Sequence, residues 1–121
     1  MDTLTKTMKI SKTEYEIMAR KVLSHVKEIE ETGEECLETF YYLDEFSTTF
    51  EDGYKFRLLF FADVEQSLLV IDCILSDSEW EDVAEGYSCA MECSEVTPDG
   101  LGTFVLKYNE RFYEVEVLIQ S

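Results

Sequence analysis

The chain has few of the residue types on which metal, nucleotide and membrane sites depend. Its 121 residues include one histidine, one proline and five glycines, and no glycine-rich phosphate loop. No cysteine pair has the C-x2-C spacing of a zinc site, and no apolar run approaches the ~20 residues of a membrane span. The first ten residues also lack the apolar core of a signal peptide. The sequence therefore predicts no metal, no cofactor and no membrane contact, and favours a cytoplasmic protein with reduced cysteines.

Basic side chains are also scarce. The chain has 10 of them and 27 acidic side chains, which gives a formal net charge of −17. A surface of this sign repels a phosphate backbone, so direct binding to nucleic acid is disfavoured. The charge is uneven: residues 1–27 carry six basic and three acidic side chains, whereas residues 28–121 carry four basic and 24 acidic ones. This asymmetry indicates a basic arm or helix that meets a surface attracting basic groups on the same chain, on a second copy or on a partner, or it serves solubility alone.

The length and the 45% apolar content predict one domain with its own core. We expect residues 1–9 to form a flexible N-terminal arm and residues 10–121 to form a single α+β domain. Helix signals are clear in the first part of that domain: Ser11 as the N-cap, Glu14 completing a capping box, and Gly33 as a stop. Apolar residues at spacings of three and four predict a buried helical stripe of Tyr15, Met18, Val22, Val26 and Ile29.

After this helix the apolar period changes to two, which predicts strands. The acidic segment 77–86 is predicted to be a connection with one or two helical turns. The predicted strands cover residues 38–50, 54–62, 67–76 and 86–96, with a final hairpin over 103–119 that turns at Asn109 and Glu110. The expected fold is thus a long N-terminal helix packed on a curved antiparallel meander of about six strands, in two layers.

The stretch EGYSCAMECSEV, residues 85–96, contains Cys89 and Cys93, which suggest a metal or redox site at first sight. Residues four apart in a strand lie about 13 Å apart, too far for a disulfide or for one shared metal. They are in phase with Met91, so we expect them on an apolar inner face. His25 lies beside Val22 on the predicted helix and is expected to be a packing residue. No catalytic residue is nominated, and whether the protein is an enzyme stays undecided, leaning towards a non-catalytic role.

Aromatic residues are abundant, with eight Phe, seven Tyr and one Trp. In the strand of residues 38–50 they occur on both faces, which one helix cannot cover, so a partner, a second copy or a pocket is expected at the second face. The acidic segment lacks the glycine and the ligand order of an EF-hand loop, which favours a solvated loop over a calcium site. The predicted binding residues are Phe40, Tyr42, Phe46, Asp77, Glu79, Trp80, Glu81 and Asp82.

These features favour a non-catalytic protein-binding module of an inhibitory, immunity or chaperone-like kind, with a basic partner and a homodimer as a further option. One alternative is a DNA mimic, which requires the carboxylates of 28–38 and 77–85 to form a surface row. Another is a small-molecule binder or enzyme with a pocket between helix and sheet, for which Asp72 is the first candidate unless it faces outward and limits aggregation. In size, charge and helix-then-three-strands order the chain is similar to small acidic secretion chaperones, but it ends in the predicted strand YEVEVLIQS where they have a helix.

Overall fold

The computed structural model describes residues 2–32, 40–86, 88–93 and 96–120. The predicted helix stop at Gly33 and the thiol of Cys36 lie outside these ranges. The described chain contains one helix and eight strands: β1 (Asp2–Ser11), α1 (Lys12–Thr32), β2 (Phe40–Thr49), β3 (Lys55–Asp63), β4 (Leu68–Ser76), β5 (Val83–Glu85), β6 (Cys89–Glu92), β7 (Gly100–Tyr108) and β8 (Arg111–Gln120).

The predicted α+β class with antiparallel strands is confirmed, but the single six-stranded meander is wrong. The strands form two sheets: a large sheet in the order β2-β3-β4-β5, with β6 also on β4, and a small sheet in the order β1-β8-β7. β5 and β6 pair with successive parts of β4. The meander fails because β1 pairs with β8 from the other end of the chain, and this long-range pairing builds a second sheet.

The segment expected to be a flexible arm lies in β1. This strand runs parallel to β8, from Asp2 opposite Arg111 to Ser11 opposite Gln120. Met8 and Ile10 are buried in the core, and the alternating threonines of the strand point to its other face. Because β-branched threonine favours extended backbone and the apolar residues recur at a period of two, this segment has the pattern of a half-buried strand.

α1 begins as the sequence predicts. The Glu14 backbone N–H donates to the Ser11 hydroxyl at 3.0 Å, which satisfies one of the free donors of the first turn. Met18 and Val22 of the predicted stripe are buried, and α1 contacts strands of both sheets. The Ile29 side chain lies outside the described part. This helix lacks the combination of length and apolar character that a membrane crossing requires.

The core lies between the inner faces of the two sheets and is closed on one side by α1. The rings of Phe56 on β3 and Phe104 on β7 lie 6.5 Å apart and join the sheets at its centre. Both sheets contribute side chains that are 0–1% exposed, among them Phe56, Leu58, Phe60, Leu69, Ile71, Phe104, Tyr113, Val115 and Val117. Only one face of each sheet is used in this packing, so each sheet retains an outer face.

Candidate functional site

The outer face of the large sheet is unusually apolar. Leu59 on β3 and Val70 and Ile74 on β4 are partly exposed, whereas the residues alternating with them are buried in the core. Side chains alternate between the two faces of a strand, so these residues point away from α1 and the small sheet. We call the following set the apolar face: Phe40, Tyr42, Leu59, Phe61, Leu68, Val70, Ile74 and Ala90.

An aromatic cluster forms one corner of the apolar face. Phe40 and Tyr42 are 51% and 53% exposed, and both rings contact Phe61 on the neighbouring strand. The Phe40 ring stacks on Phe61 with centroids 5.3 Å apart, and Tyr42 meets the same ring edge-on at 5.9 Å. Partial burial, together with the charges of Glu45 and Asp44, raises the pKa of the Tyr42 hydroxyl. Large exposed aromatic side chains of this kind are typical of protein interfaces.

Phe46 was predicted to belong with Phe40 and Tyr42, but it lies on the opposite face of β2. The pairing of β2 with β3 shifts by one residue between Tyr42 and Asp44, which is a β-bulge. Because the side-chain period is two, one extra residue turns every later side chain to the other face. Phe46 therefore points inward and meets the Phe60 ring edge-on, with centroids 5.6 Å apart.

Trp80 lies at the other end of the apolar face, on Arg57 of β3. The guanidinium carbon of Arg57 is 4.1 Å from the centroid of the indole ring, and its nitrogen is 3.6 Å from the Glu45 carboxylate. Trp80 has φ of +62°, a backbone conformation that costs a bulky residue about 1–3 kcal/mol. The contacts of the surrounding loop must offset this cost. In this conformation the indole ring lies beside the sheet and is 46% exposed.

The acidic segment around Trp80 is a closed turn followed by β5, in place of the predicted helical turns. The Asp77 carboxylate accepts hydrogen bonds from the backbone N–H groups of Glu81 at 2.9 Å and Asp82 at 3.3 Å. The Asp77 N–H in turn donates to the Asp82 carbonyl at 3.1 Å. Asp77 thus closes the loop, while the predicted binding residues Glu79, Glu81 and Asp82 remain exposed to solvent.

Asp72 lies near the middle of this surface. It is partly buried, stands between Val70 and Ile74 along β4, and is directly opposite Leu59 on β3. In the described part of the chain its carboxylate makes no hydrogen bond or ion pair. The cation on the neighbouring strand, Arg57, contacts Glu45 and Trp80 instead. Asp72 faces away from α1, so it does not line a space between helix and sheet.

The small sheet has a different outer face. Most of its apolar residues point into the core, and its outer positions are mainly threonine and charged residues, as expected for a sheet with one solvated face. The apolar residues on this outer face are Val105, which is 42% exposed, and the partly exposed Phe112 and Leu118. The outer positions are Thr3, Thr5, Thr7 and Lys9 on β1, Thr103, Val105 and Lys107 on β7, and Phe112, Glu114, Glu116 and Leu118 on β8.

The described cysteines Cys73, Cys89 and Cys93 are free thiols that pack in or against the core. Burial raises the pKa of all three, and that of Cys73 reaches about 11 with a further contribution from the charge of Asp72. A thiol with a raised pKa is a poor nucleophile and metal ligand. Nor does any group of three or more His, Cys, Asp or Glu among the described residues have the arrangement of a metal site.

His25 packs edge-on against the Tyr41 ring at 5.2 Å.

Depressions in the surface lie along the exposed side of α1. The larger one, of about 550 Å³, runs between α1 and Thr97, whose hydroxyl donates to the Glu16 carboxylate at 3.1 Å. Its lining residues include the apolar Ala19 and Leu23 as well as the charged Arg20 and Lys27. The groove is separate from the apolar face and does not contain Asp72.

The structure brings Phe40, Tyr42 and Trp80 to the outer side of one sheet and places Phe46 elsewhere. Leu59, Phe61 and the aliphatic members of this face were not among the predicted binding residues. The sequence contains a signal for them, since the runs FRLLFFA and LLVIDCIL have apolar residues at both odd and even positions, as expected for strands with two apolar faces. Comparison with protein-family models, with curated proteins and with solved structures found no match for this chain.

Proposed function

We propose that this protein is a non-catalytic protein-binding module and that the apolar face is its binding surface. The observation that carries the proposal is the contrast between the two sheets: the outer face of the small sheet is mostly threonine and charged residues, whereas that of the large sheet has a contiguous group of apolar residues, the apolar face. Covering exposed apolar area is favourable by about 25 cal/mol per Å². A contiguous surface of this kind is typical of an interaction site rather than of a solvated face.

The partner is a protein with a basic surface. The formal net charge of −17 attracts a basic partner over long range, and acidic side chains border the apolar face at Glu45, Asp63, Glu85 and Glu92. An apolar centre with a charged rim is the usual composition of such an interface. An inhibitory, immunity or chaperone-like role in the cytoplasm, which the sequence favours, fits a small module that acts by covering another protein.

The two alternatives have less support. A DNA mimic requires a row of carboxylates, but Asp77 uses its carboxylate within its own loop, and the side chains of 28–38 lie outside the described residues. A small-molecule site between helix and sheet was to use Asp72, which faces away from α1. The groove beside Thr97 lacks a carboxylate, a histidine or a thiol placed for catalysis among its lining residues, apart from Glu16, which bonds Thr97.

The test is affinity capture with the wild type and the double variant Phe40→Ser/Tyr42→Ser, at low and high salt. Both side chains are more than half exposed, so their replacement should leave the fold intact. Aromatic residues are common among the interface residues that contribute about 2 kcal/mol or more each, so the double variant should lose most of its binding to a specific partner. Val105→Ser and Ile17→Ser are matched controls, because both residues are exposed apolar residues outside the apolar face.

We expect a basic protein that the wild type and both controls retain at low salt, that high salt weakens, and that the double variant does not retain. Retention of the same proteins by the wild type and the double variant would contradict the proposed function. Retention of a small molecule alone would favour the pocket alternative.

A further inference from the structure

We infer that Asp72 selects the occupant of the apolar face: a protein segment that presents a lysine or arginine flanked by apolar side chains. This inference rests on the proposed function and specifies the chemistry of its partner. It concerns a residue at the centre of the surface, whereas the aromatic cluster of Phe40 and Tyr42 lies at a corner.

Covering the Asp72 carboxylate costs free energy unless a partner group compensates for the lost water. Asp72 is surrounded on the sheet by Val70, Ile74 and Leu59, and in the described residues no side chain pairs with it. A partner that covers this face removes water from the carboxylate, and an ionised group without water must be paired and hydrogen-bonded to remain stable. A purely apolar partner would therefore bind poorly, however well its shape fits.

The compensating cation must come from the partner. The cation of β3 that lies on this face near Asp72 is Arg57, and its guanidinium is held between the Trp80 ring and the Glu45 carboxylate. Turning Arg57 towards Asp72 would break both contacts. A lysine or arginine of the partner reaches the carboxylate at no such cost and makes a charge-assisted hydrogen bond in surroundings of low polarity.

A second copy of the chain meets this requirement less well. In a twofold symmetric contact the apolar face of one copy covers that of the other, where the basic residues are Arg57, held by Trp80 and Glu45, and Lys55 at the start of β3. Such a contact would also bring the acidic borders of both copies together. The basic residues of the chain are concentrated in residues 1–27, which form β1 and most of α1. These elements lie on the other side of the large sheet, so they cannot take part in that contact.

The experiment is an NMR titration of the isotope-labelled full chain with a blocked ten-residue peptide of alternating leucine and lysine. The same peptide with glutamate in place of lysine is the ligand control. Asp72→Asn is the test variant, since asparagine keeps the shape and removes the charge. Glu116→Gln is the matched protein control, because Glu116 is exposed on the outer face of the small sheet and loses the same charge.

We expect the leucine–lysine peptide to shift the amide signals of β3 and β4, and the glutamate peptide to leave them unchanged. Loss of a central charge pair should weaken binding to Asp72→Asn about tenfold, whereas Glu116→Gln should change it by less than about twofold. Equal weakening in both variants would mean that only net charge matters and would overturn the inference. So would shifts confined to the 77–82 loop or the small sheet, no shifts at all, or a wild-type dimer formed through the apolar face at pH 7.

This result separates the inference from the proposed function. If capture depends on Phe40 and Tyr42 while Asp72→Asn binds the leucine–lysine peptide like the wild type, the inference fails and the protein-binding function stands. If capture does not depend on Phe40 and Tyr42, the proposed function fails whatever the peptide does.

Discussion

Asp52 is the residue whose side chain ties the two sheets together at one end of the molecule. It lies in the turn between β2 and β3, and its carboxylate accepts hydrogen bonds from the Tyr113 hydroxyl at 2.6 Å and from Arg111 at 3.1 Å. Tyr113 is 1% exposed. Burial, and then the hydrogen bond and charge of Asp52, raise the pKa of Tyr113 to about 12 from its ordinary value of 10.0.

The raised pKa of Tyr113 predicts a loss of stability at alkaline pH. The neutral Tyr113 phenol stabilises the folded state. This stabilisation is fully present below pH 10, the pKa of tyrosine in the unfolded chain, and is lost as the pH rises to the folded-state pKa of about 12. Within this window each pH unit lowers the free energy of unfolding by up to about 1.4 kcal/mol. Urea unfolding of the wild type and Tyr113→Phe from pH 9 to 12 checks this, since Cys73 titrates alike in both proteins. A Tyr113→Phe variant that loses stability as steeply as the wild type would contradict it.

Gly86, in the connection between β5 and β6, lies where the large sheet packs against the small sheet. We call this region, where Cys73 of β4 and Leu106 of β7 both lie close to Gly86, the seam. The Gly86 N–H donates to the Cys73 carbonyl at 2.8 Å. A Cβ at this position would lie 2.2 Å from the Cys73 sulfur and 2.8 Å from a methyl carbon of Leu106 on β7. Glycine is therefore required here by the close approach of β4 and β7, and not by an unusual backbone angle.

Gly86→Ala should destabilise the protein by about 1–3 kcal/mol, because the added methyl group overpacks the seam. Urea unfolding measures this. Combining Gly86→Ala with Cys73→Ala removes the nearer clash, so the double variant should be more stable than the sum of the two single effects. A Gly86→Ala protein as stable as the wild type would show that the seam can open without cost.

The elements that sequence analysis found are those with local signals. The N-cap at Ser11 depends on residues close to it in sequence. The same holds for the turn between β7 and β8, where Asn109 and Glu110 both have positive φ. β1 has a period-two pattern, but it was missed because its partner is β8 at the far end of the chain and no turn connects them. Pairings of this kind are set by the packing of the whole core, which no local pattern contains.

The candidate site was predictable in part for the same reason. Phe40 and Tyr42 were found because aromatic residues on both faces of one strand exceed what a single helix can cover. Phe46, which was predicted as a binding residue together with them, lies on the other face of β2, because a bulge that leaves no clear trace in the sequence interrupts the period of two. The apolar runs of β3 and β4 indicated two covered faces, and only the packing of the sheets reveals which face the described elements leave exposed.

At the scale of the whole molecule, charge and apolar surface are segregated. The exposed side of α1 carries Arg20, Lys21 and Lys27, and the outer face of the small sheet is mainly polar. The apolar face lies on the other side and is bordered by acidic residues. A net charge of −17 makes copies repel each other at neutral pH, which opposes self-association through this face.

This balance predicts that self-association depends on pH through the apolar face. At pH 7 and low salt we expect a monomer, and as the pH falls towards the sequence pI of about 4.2 the repulsion fades and apolar faces associate. Sedimentation velocity from pH 7 to 4.5 measures this, with near-ultraviolet circular dichroism to verify that the fold persists.

The double variant Val70→Thr/Ile74→Thr keeps strand-forming side chains and makes the face more polar, so it should remain monomeric to lower pH than the wild type. Val105→Thr, a like change on the small sheet, should behave as the wild type does. If the Val70 and Ile74 changes leave the association unaltered, the contact lies elsewhere on the molecule. In that case the net charge affects only the solubility of the protein, and charge repulsion between copies is not what prevents association through the apolar face.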